Sequence, residues 1–223
     1  VDYFLFGLNP MGYRITNISL HIVNAFLTYQ LILLVLGNKK IALWTGLLFL
    51  VHPVNVESVA WISERKNVLS LTFLLLSFIK YIQNKRTFSI FCFILACLSK
   101  STAIVLPILL ILYDSCFKPR EFRKIIFDKW AFALISFCLA GITVLSHSQG
   151  QTLRTHPENN PLFSLYSMIP VFKEYWLKIA FPINLNVWYQ KLIYKSVTDI
   201  AGSLIFATGF FYFLFKIRKS NIA

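Results

Sequence analysis

Long apolar runs, each interrupted by a short polar or basic segment, constrain this chain more than any other feature. A helix needs roughly 20 residues to cross the hydrocarbon core of a bilayer, and several runs approach that length. Hydrophobic residues make up 57% of the 223 residues and charged residues only 14%, which is unlike a soluble domain. Because backbone groups in hydrocarbon must pair internally, such runs form helices. The sequence predicts an all-α, polytopic transmembrane helical bundle.

The placement of the basic residues indicates a membrane topology. The net charge is +13, but the basic residues cluster in short segments between apolar runs, as the positive-inside rule expects. This pattern argues against nucleic acid as a partner. Thirteen of the 22 Lys and Arg residues, with three of the nine acids, fall in segments assigned to the cytoplasm. We expect about seven membrane helices plus an interfacial helix in the outer loop, with the polar clusters facing the non-cytoplasmic side.

Gly7, Asn9-Pro10 and Gly12 are turn signals that precede the first helix. Thr16 or Asn17 is expected to cap the first helix, which runs to Leu36 and ends at Gly37. The next apolar run, residues 41–51, is too short to cross a bilayer alone, so a helix kinked at Pro53 and reaching residue 62 is expected. If that helix persists, the side chains at 57, 61 and 64 share one face.

The rest of the chain follows the same pattern. Residues 87–114 are expected to form two short helices with Lys100 at the turn between them, because basic segments flank both ends. A snorkelling lysine is the alternative. Other predicted elements are spans at 67–82, 130–145 and 197–215, a solvent-exposed loop at 147–161, an interfacial helix at 163–181 and an aromatic anchor at 182–189. The four cysteines show neither zinc-type nor disulfide spacing, so they are interpreted as packing residues and no metal is expected.

Polar residues form one stripe on the first helix. Asn17, His21, Asn24 and Thr28 follow helical spacing on an otherwise apolar rod. Such a stripe can join helices by interhelical hydrogen bonds, or it can contact a ligand. Both interpretations stay open on the sequence alone.

A polar segment, residues 52–67, lies between two apolar runs. It contains His52, Glu57, Arg65 and other ionisable residues where a membrane helix turns back, and such groups normally face a cavity or the interface. A solvated loop is the alternative. A non-cytoplasmic cavity lined by His52, Arg65, Lys66 and Lys100 would suit the phosphate of a lipid carrier, because phosphate favours Arg and Lys. There is no Gly-rich loop or Walker-type lysine for a soluble nucleotide.

Four stretches carry a family resemblance. Residues 52–70 (HPVNVESVAWISERKNVLS) resemble the hallmark motif of multi-spanning GT-C superfamily proteins that carry tetratricopeptide-repeat tails and are related to the protein O-mannosyltransferases. Residues 6–24, 98–107 and 175–189 match the same family. The resemblance covers nearly the whole chain.

The resemblance implies a GT-C-like fold and a transferase. The enzyme would move a mannose-like sugar from a polyprenyl-phosphate-sugar to a hydroxyl of a protein or glycan acceptor, without a cofactor, on the non-cytoplasmic face of a membrane. Arg65 and Lys100 would contact the lipid phosphate, and His52 and Glu57 would shape the site. The residues expected to bind substrate are Asn17, His21, His52, Glu57, Arg65 and Lys100. The family often has His at positions 14 and 55 and Asp at 67, where this chain has Arg14, Asn55 and Asn67.

The resemblance also implies that residues 1–223 are part of a larger transmembrane core. The first membrane helix, the first outer loop with its acidic catalytic base, and the repeat tail would lie outside them, so this part alone is expected to be inactive. Two other functions stay open: a transporter or flippase-like protein, and a non-catalytic membrane anchor. A bacterial cytoplasmic membrane is preferred over the endoplasmic reticulum because the Ser99-Lys100-Ser101 variant and the short loops look more bacterial than eukaryotic.

Overall fold

The computed structural model describes residues 4, 6–117, 126–149, 168–183, 185 and 197–220, and all of its regular elements there are helical. The chain divides into two compact units, Val1–Gln149 and Gly150–Ala223, which are considered separately. The predicted all-α class is confirmed for the described residues. The loop predicted at 147–161 overlaps a helix that continues to Gln149, and its remainder lies outside the described residues, as does most of the predicted anchor at 182–189.

The described residues of the first unit include seven α-helices. They are α1 (Pro10–Leu36), α2 (Lys39–Val51), α3 (Val56–Ala60), α4 (Arg65–Ile82), α5 (Arg86–Ser99), α6 (Leu106–Phe117) and α7 (Trp130–Gln149). Short 3₁₀ turns at Pro53–Asn55, Ile62–Glu64 and Ser101–Val105 connect some of them. In the second unit, α8 (Met168–Ala180) precedes α9 (Val197–Ser220).

Helix α1 begins earlier than the sequence indicated. Asn9 caps it by accepting a hydrogen bond from the Met11 amide, and Pro10 occupies the first turn, where a missing N–H costs nothing. The predicted cap at Thr16 or Asn17 is therefore wrong, since both residues lie inside the helix. The predicted end is confirmed: Gly37 has φ 68° and its N–H bonds to the Leu33 carbonyl, a left-handed cap that favours glycine.

The kink predicted at Pro53 is a complete break. Helix α2 ends at Val51, and the following segment turns away from it by 48°. The next short helix ends at Ala60, and Trp61 is extended with ψ 124°. Because no helix continues to residue 64, the side chains of Glu57, Trp61 and Glu64 do not share a helical face as the unbroken alternative would require.

Helices α4 and α5 pack antiparallel, and buried hydroxyl groups join them. Ser77 and Ser89 each donate to the other's carbonyl at 2.7 Å, while Ser70 donates to the Ala96 carbonyl at 2.9 Å. Small side chains let two helix backbones approach closely in this way. The start of α4 therefore lies beside the end of α5, where Lys100 follows.

The two short helices predicted around Lys100 are confirmed. Lys100 is extended (φ −155°, ψ 130°) between α5 and the 3₁₀ turn that leads into α6. At the far end of α6, Asp114 accepts a hydrogen bond from the Tyr81 hydroxyl of α4 at 2.6 Å. Helix α6 thus returns toward the end of α4. Lys100 consequently lies at one end of this bundle, and Tyr81 and Asp114 lie at the other.

The apolar core of the first unit lies between α5, α6 and α7. Phe93, Leu106, Leu110 and Phe132 are fully buried there, together with Ala96. The hydroxyl of Ser136 on α7 also donates to the Ile104 carbonyl at 3.3 Å. Helix α7 therefore packs along the return path of the chain from Lys100.

Few of the described helices are long and apolar enough to cross a membrane. Helix α1 alone is long and apolar enough to cross a membrane, and the bent pair formed by Lys39–Val51 and Pro53–Ala60 passes the same test when taken together. Other apolar helices among the described residues are shorter. The predicted seven-span bundle is therefore not confirmed.

The second unit is joined by aromatic side chains. Trp176 on α8 lies 4.4 Å from Phe210 on α9 between ring centroids, and Phe172 lies 6.0 Å from the same ring. Pro170 is in the first turn of α8, where a proline is tolerated. The predicted helix is confirmed over Met168–Ala180, while its place at a membrane interface remains a prediction.

An ion pair is buried at the end of the bundle opposite Lys100. The Lys129 ammonium bonds to the Asp114 carboxylate, and both side chains are only 1% exposed. Lys129 also lies 5.1 Å from the centre of the Tyr81 ring. Lys129 is one of the basic residues that the sequence assigned to cytoplasmic segments, and the structure adds that its ammonium is enclosed with a counter-charge.

Close packing of α1 on α2 depends on Gly46. A Cβ at this position would lie 3.1 Å from the Ala25 carbonyl oxygen and 3.1 Å from the Tyr29 Cβ. We expect Gly46→Leu to lower the free energy of unfolding by about 1–3 kcal/mol, because the added side chain forces the two helices apart. Thermal unfolding in detergent would measure the change.

Gly141→Leu is the matched control, since nothing lies within 4 Å of a Cβ there. Both substitutions gain helix propensity, so only packing separates them. Equal unfolding temperatures for the two variants would contradict the close approach of α1 and α2.

The buried ion pair predicts a non-additive pair of substitutions. Asp114→Asn should lower the free energy of unfolding by about 3–5 kcal/mol, because it leaves the Lys129 ammonium buried without a counter-charge. Lys129→Met should cost a comparable amount. The double variant should lose clearly less than the sum, and strictly additive losses in chemical unfolding would rule out the coupling.

Candidate functional site

The broken segment between α2 and α4 is held by hydrogen bonds to its backbone. His52 ends α2 in an extended conformation (ψ 126°), and its Nδ1 accepts from the Val54 amide at 3.2 Å. The Asn55 side chain donates to the Phe49 carbonyl at 2.7 Å. Because a break exposes backbone groups that need partners, these two side chains explain how the segment tolerates Pro53.

Asn17 links α1 to the same segment. Its amide nitrogen donates to the Val59 carbonyl at 3.3 Å and to the Trp61 carbonyl at 3.0 Å. Its Oδ1 accepts from Arg65 Nε at 3.0 Å. The residue is fully buried. One amide thus connects three points of the chain, and both of its polar atoms are used.

Arg65 is the first residue of α4, and its side chain extends toward α1. Besides the bond to Asn17, its Nη2 donates to the Tyr13 carbonyl at 2.9 Å, and the guanidinium lies 5.6 Å from the centre of the Tyr13 ring. A planar guanidinium suits this combination of forked donation and ring contact. Arg65 therefore holds the start of α4 against α1.

Lys100 belongs to a second group at the start of α4. Its ammonium donates to Asn67 Oδ1, and the Asn67 amide nitrogen donates to Glu64. Glu64 also lies 3.8 Å from the Lys66 ammonium. Among the described residues, the Lys100 ammonium has the Asn67 oxygen as its hydrogen-bond partner and makes no ion pair.

The other predicted site residues are dispersed around the same end of the first unit. His21 is buried, its Nε2 lies 3.1 Å from the Leu50 carbonyl oxygen, and its ring packs 5.1 Å from Phe49. His52 is half-buried at the break. Glu57 is exposed, and its carboxylate contacts neither Arg65 nor any other described side chain by hydrogen bond or ion pair.

The polar stripe of α1 joins helices, which is one of the two interpretations that the sequence left open. Asn24 donates to the Val68 carbonyl at 2.9 Å and accepts from the Thr72 hydroxyl at 2.7 Å. Asn17 and His21 likewise reach backbone carbonyls outside α1, whereas Thr28 bonds within its own helix. The side-chain hydrogen bonds of Asn17, His21 and Asn24 described here therefore lead from α1 to other segments.

The structure brings the two predicted phosphate contacts to the same end of α4 but on different sides. Successive helical residues are rotated by about 100° around the axis. The side chains of Arg65 and Asn67 are therefore rotated by about 200° and lie on nearly opposite sides of α4. Arg65 faces α1, and Asn67 faces the Lys100 side chain. Sequence reasoning did not assign roles to Tyr13 and Asn67. The helical spacing from Glu64 to Asn67 was the available signal for the second.

No metal centre is formed by the described residues, where His, Cys, Asp and Glu nowhere gather in threes. The described site therefore consists of amide, ammonium, guanidinium and carboxylate groups. These can bind and orient an anion, and they can exchange hydrogen bonds with hydroxyl groups.

These features define a class: a helical protein with a membrane-type helix and a predominantly cationic cluster at one end of its bundle. Three known proteins that it resembles share one description. The chain is 40% identical over 82 residues to the protein O-mannosyl-transferase TMTC1 of Homo sapiens, a match that covers 36% of this chain and 9% of that protein. It is 34% identical over 85 residues to TMTC3 and 37% identical over 83 residues to TMTC2, both also named protein O-mannosyl-transferases of Homo sapiens.

The match confirms the resemblance predicted from the motifs, because the relatives carry the name of the predicted group. It covers about a third of this chain. The matched segment spans about a tenth of the length of the curated relatives. No protein-family model matches the chain, and no solved structure matches it significantly. The relatives come from animals, including Drosophila melanogaster and Xenopus laevis, so the predicted preference for a bacterial membrane is not supported.

The contacts of Asn17 predict a large cost for its removal. Asn17→Ala should lower the free energy of unfolding by about 2–4 kcal/mol, because two backbone carbonyls and the Arg65 guanidinium lose a buried partner. Thr16→Ala is the control, since the Thr16 hydroxyl bonds only to the Gly12 carbonyl of its own helix. Thermal unfolding of both variants, side by side, would measure the difference, and a loss no larger than that of the control would contradict the linking role.

Proposed function

We propose that this chain is part of the membrane core of a glycosyltransferase. The enzyme transfers a mannose-like sugar from a polyprenyl-phosphate-sugar to a hydroxyl of a protein acceptor, on the non-cytoplasmic face. The names of the relatives support the transferase class and the protein acceptor. The cationic cluster at the start of α4 is the single observation that supports a phosphate-bearing donor.

The surface of α1 supports a lipid environment. Its polar residues Asn17, His21 and Asn24 are buried, whereas Ile15, Ile18, Ile22 and Phe26 are between 47% and 57% exposed. In water this arrangement would leave a broad apolar stripe in contact with solvent. In hydrocarbon it is favourable, because apolar side chains meet lipid and polar ones meet each other.

The charge balance of the cluster supports an anionic ligand. Lys66 and Lys100 contribute two positive charges, while Glu64 is the one carboxylate beside them among the described residues, near Lys66 directly and joined to Lys100 through Asn67. Phosphate oxygens accept charge-assisted hydrogen bonds from such groups. The attraction is stronger next to hydrocarbon than in water, because the effective dielectric constant is lower.

The proposed chemistry is a displacement at the anomeric carbon of the sugar. The acceptor oxygen forms a new bond to this carbon while the bond from carbon to phosphate oxygen breaks, and the hydroxyl proton passes to a base. The polyprenyl phosphate leaves with the bonding electron pair and gains negative charge. Cations near the leaving oxygen stabilise that charge more in the transition state than in the ground state. We assign the base to none of the described acids, and the proposal needs no metal or cofactor.

A transfer assay tests the proposal. The full-length protein that contains this chain, in lipid vesicles, should move radiolabelled mannose from polyprenyl-phosphate-mannose to a Ser/Thr peptide. Lys100→Gln should lower kcat/KM by roughly 10²-fold or more, because it removes a charge near the leaving group. Lys80→Gln, at the opposite end of α4, should act as wild type.

Three outcomes would contradict the proposal. Use of a nucleotide sugar in place of the lipid donor would make the donor wrong. Movement of the lipid-linked sugar from one leaflet of the vesicle membrane to the other, without transfer to the peptide, would indicate a flippase. Unaltered turnover in Lys100→Gln would remove this residue from the site.

A further inference from the structure

The two cations predicted to contact the lipid phosphate have different surroundings, and this difference separates their roles. We infer that Lys100 is the residue that binds the phosphate group and that Asn67 positions it, while Arg65 acts by holding α4 to α1 and does not contact the ligand. This inference rests on the proposed function and assigns residues within its donor site.

Arg65 is engaged with the protein through at least two donors. Its Nε bonds to the fully buried Asn17, and its Nη2 bonds to the Tyr13 carbonyl, with the Tyr13 ring against the guanidinium. To bind a phosphate with these donors, Arg65 would have to break its hydrogen bonds to a buried amide oxygen and a backbone carbonyl. Leaving such groups without donors costs as much as a new charge-assisted hydrogen bond gains.

Lys100 is bonded much less completely. An ammonium carries three N–H donors, and among the described residues this one bonds to Asn67 Oδ1 alone. Its partner is a neutral amide, so no contacting carboxylate balances its charge. A half-buried ammonium beside apolar helices is costly without an anion. An entering phosphate would meet a full positive charge and two available donors.

The backbone holds Lys100 in place before any ligand arrives. Its N–H bonds to the Ala96 carbonyl at 3.0 Å, and its carbonyl accepts from the Ala103 amide at 3.1 Å. The residue is thus fixed both to the end of α5 and to the turn that follows. The backbone at Lys100 is therefore already ordered, so binding a ligand does not have to order it.

Asn67 orients the ammonium without neutralising it. Its Oδ1 faces Lys100 and its amide nitrogen faces Glu64, which is the orientation that suits both charges. Glu64 is in turn near Lys66. The amide therefore separates the carboxylate from the ammonium, and Lys100 remains available to an external anion.

Binding measurements on the full-length protein in detergent separate the two roles. The probes are a polyprenyl phosphate, the corresponding polyprenol and inorganic phosphate, with Kd read from intrinsic tryptophan fluorescence. Lys100→Gln should raise the Kd of the polyprenyl phosphate by about tenfold or more, the expected loss of one charge-assisted bond, while the unfolding temperature holds or rises because an uncompensated charge is removed. Arg65→Gln should lower the unfolding temperature and leave the Kd of the folded protein unchanged. Lys80→Gln is the matched charge control.

Asn67→Asp supplies a readout that a merely structural residue would not give. A carboxylate at this position would pair with Lys100, so the unfolding temperature should hold or rise while the Kd for the polyprenyl phosphate increases. If Asn67 only supports the fold, the substitution would change the unfolding temperature and leave the Kd unaltered, and the positioning role would be overturned.

The results also distinguish this inference from the proposed function. Wild-type protein that binds the polyprenyl phosphate through Lys100 but transfers no sugar would support the inference and refute the transferase. Tighter binding of the polyprenyl phosphate than of either other probe would identify the lipid headgroup as the source of the anion, and equal binding of inorganic phosphate would identify a free-anion site. Loss of affinity in Arg65→Gln at an unchanged unfolding temperature, with wild-type affinity in Lys100→Gln, would overturn the inference. So would the absence of binding by both phosphate probes.

Discussion

The first unit depends on one requirement: the backbone carbonyls left without helical partners in the broken segment between α2 and α4 must find donors within the protein. Asn17 meets this requirement, since its amide nitrogen reaches the Val59 and Trp61 carbonyls while its oxygen receives Arg65. A buried carbonyl without a donor costs a few kcal/mol. The amide therefore fixes both the path of the broken segment and the direction in which α4 begins. Without that direction, Lys100 would have no fixed neighbour in Asn67.

The stability of this bundle depends on where its buried polar side chains lie more than on how many there are. Ser70, Ser77 and Ser89 are buried between α4 and α5 and bond to carbonyls of the facing helix, while Asn24 joins α1 to α4. Close packing and such bonds hold neighbouring helices together. The same bonds set the antiparallel register that brings the end of α5 next to the start of α4.

Much of this arrangement could be predicted from the sequence, because single residues carried strong local signals. Gly37 marked the end of α1, and the basic segments around residues 87–114 required two short helices with Lys100 between them. The helical spacing of Asn17, His21 and Asn24 predicted a shared face. The start of α1 was missed because Asn9-Pro10 was interpreted as a turn, although Pro10 at the first turn also begins a helix well. The burial of Lys129 could not be predicted, since it depends on a carboxylate 15 residues away that only the return of α6 brings near.

The bundle treats its lysines in two opposite ways, and the contrast bears on function. At one end Lys129 is enclosed with Asp114, so its charge is compensated inside the protein. At the other end Lys100 meets only the amide of Asn67 among the described residues. The fold places a carboxylate beside the Lys129 ammonium but a neutral amide beside the Lys100 ammonium. The neutral partner leaves a net positive charge at the start of α4. An uncompensated charge of this kind is costly for stability, and it is the property that a site for a phosphate headgroup needs.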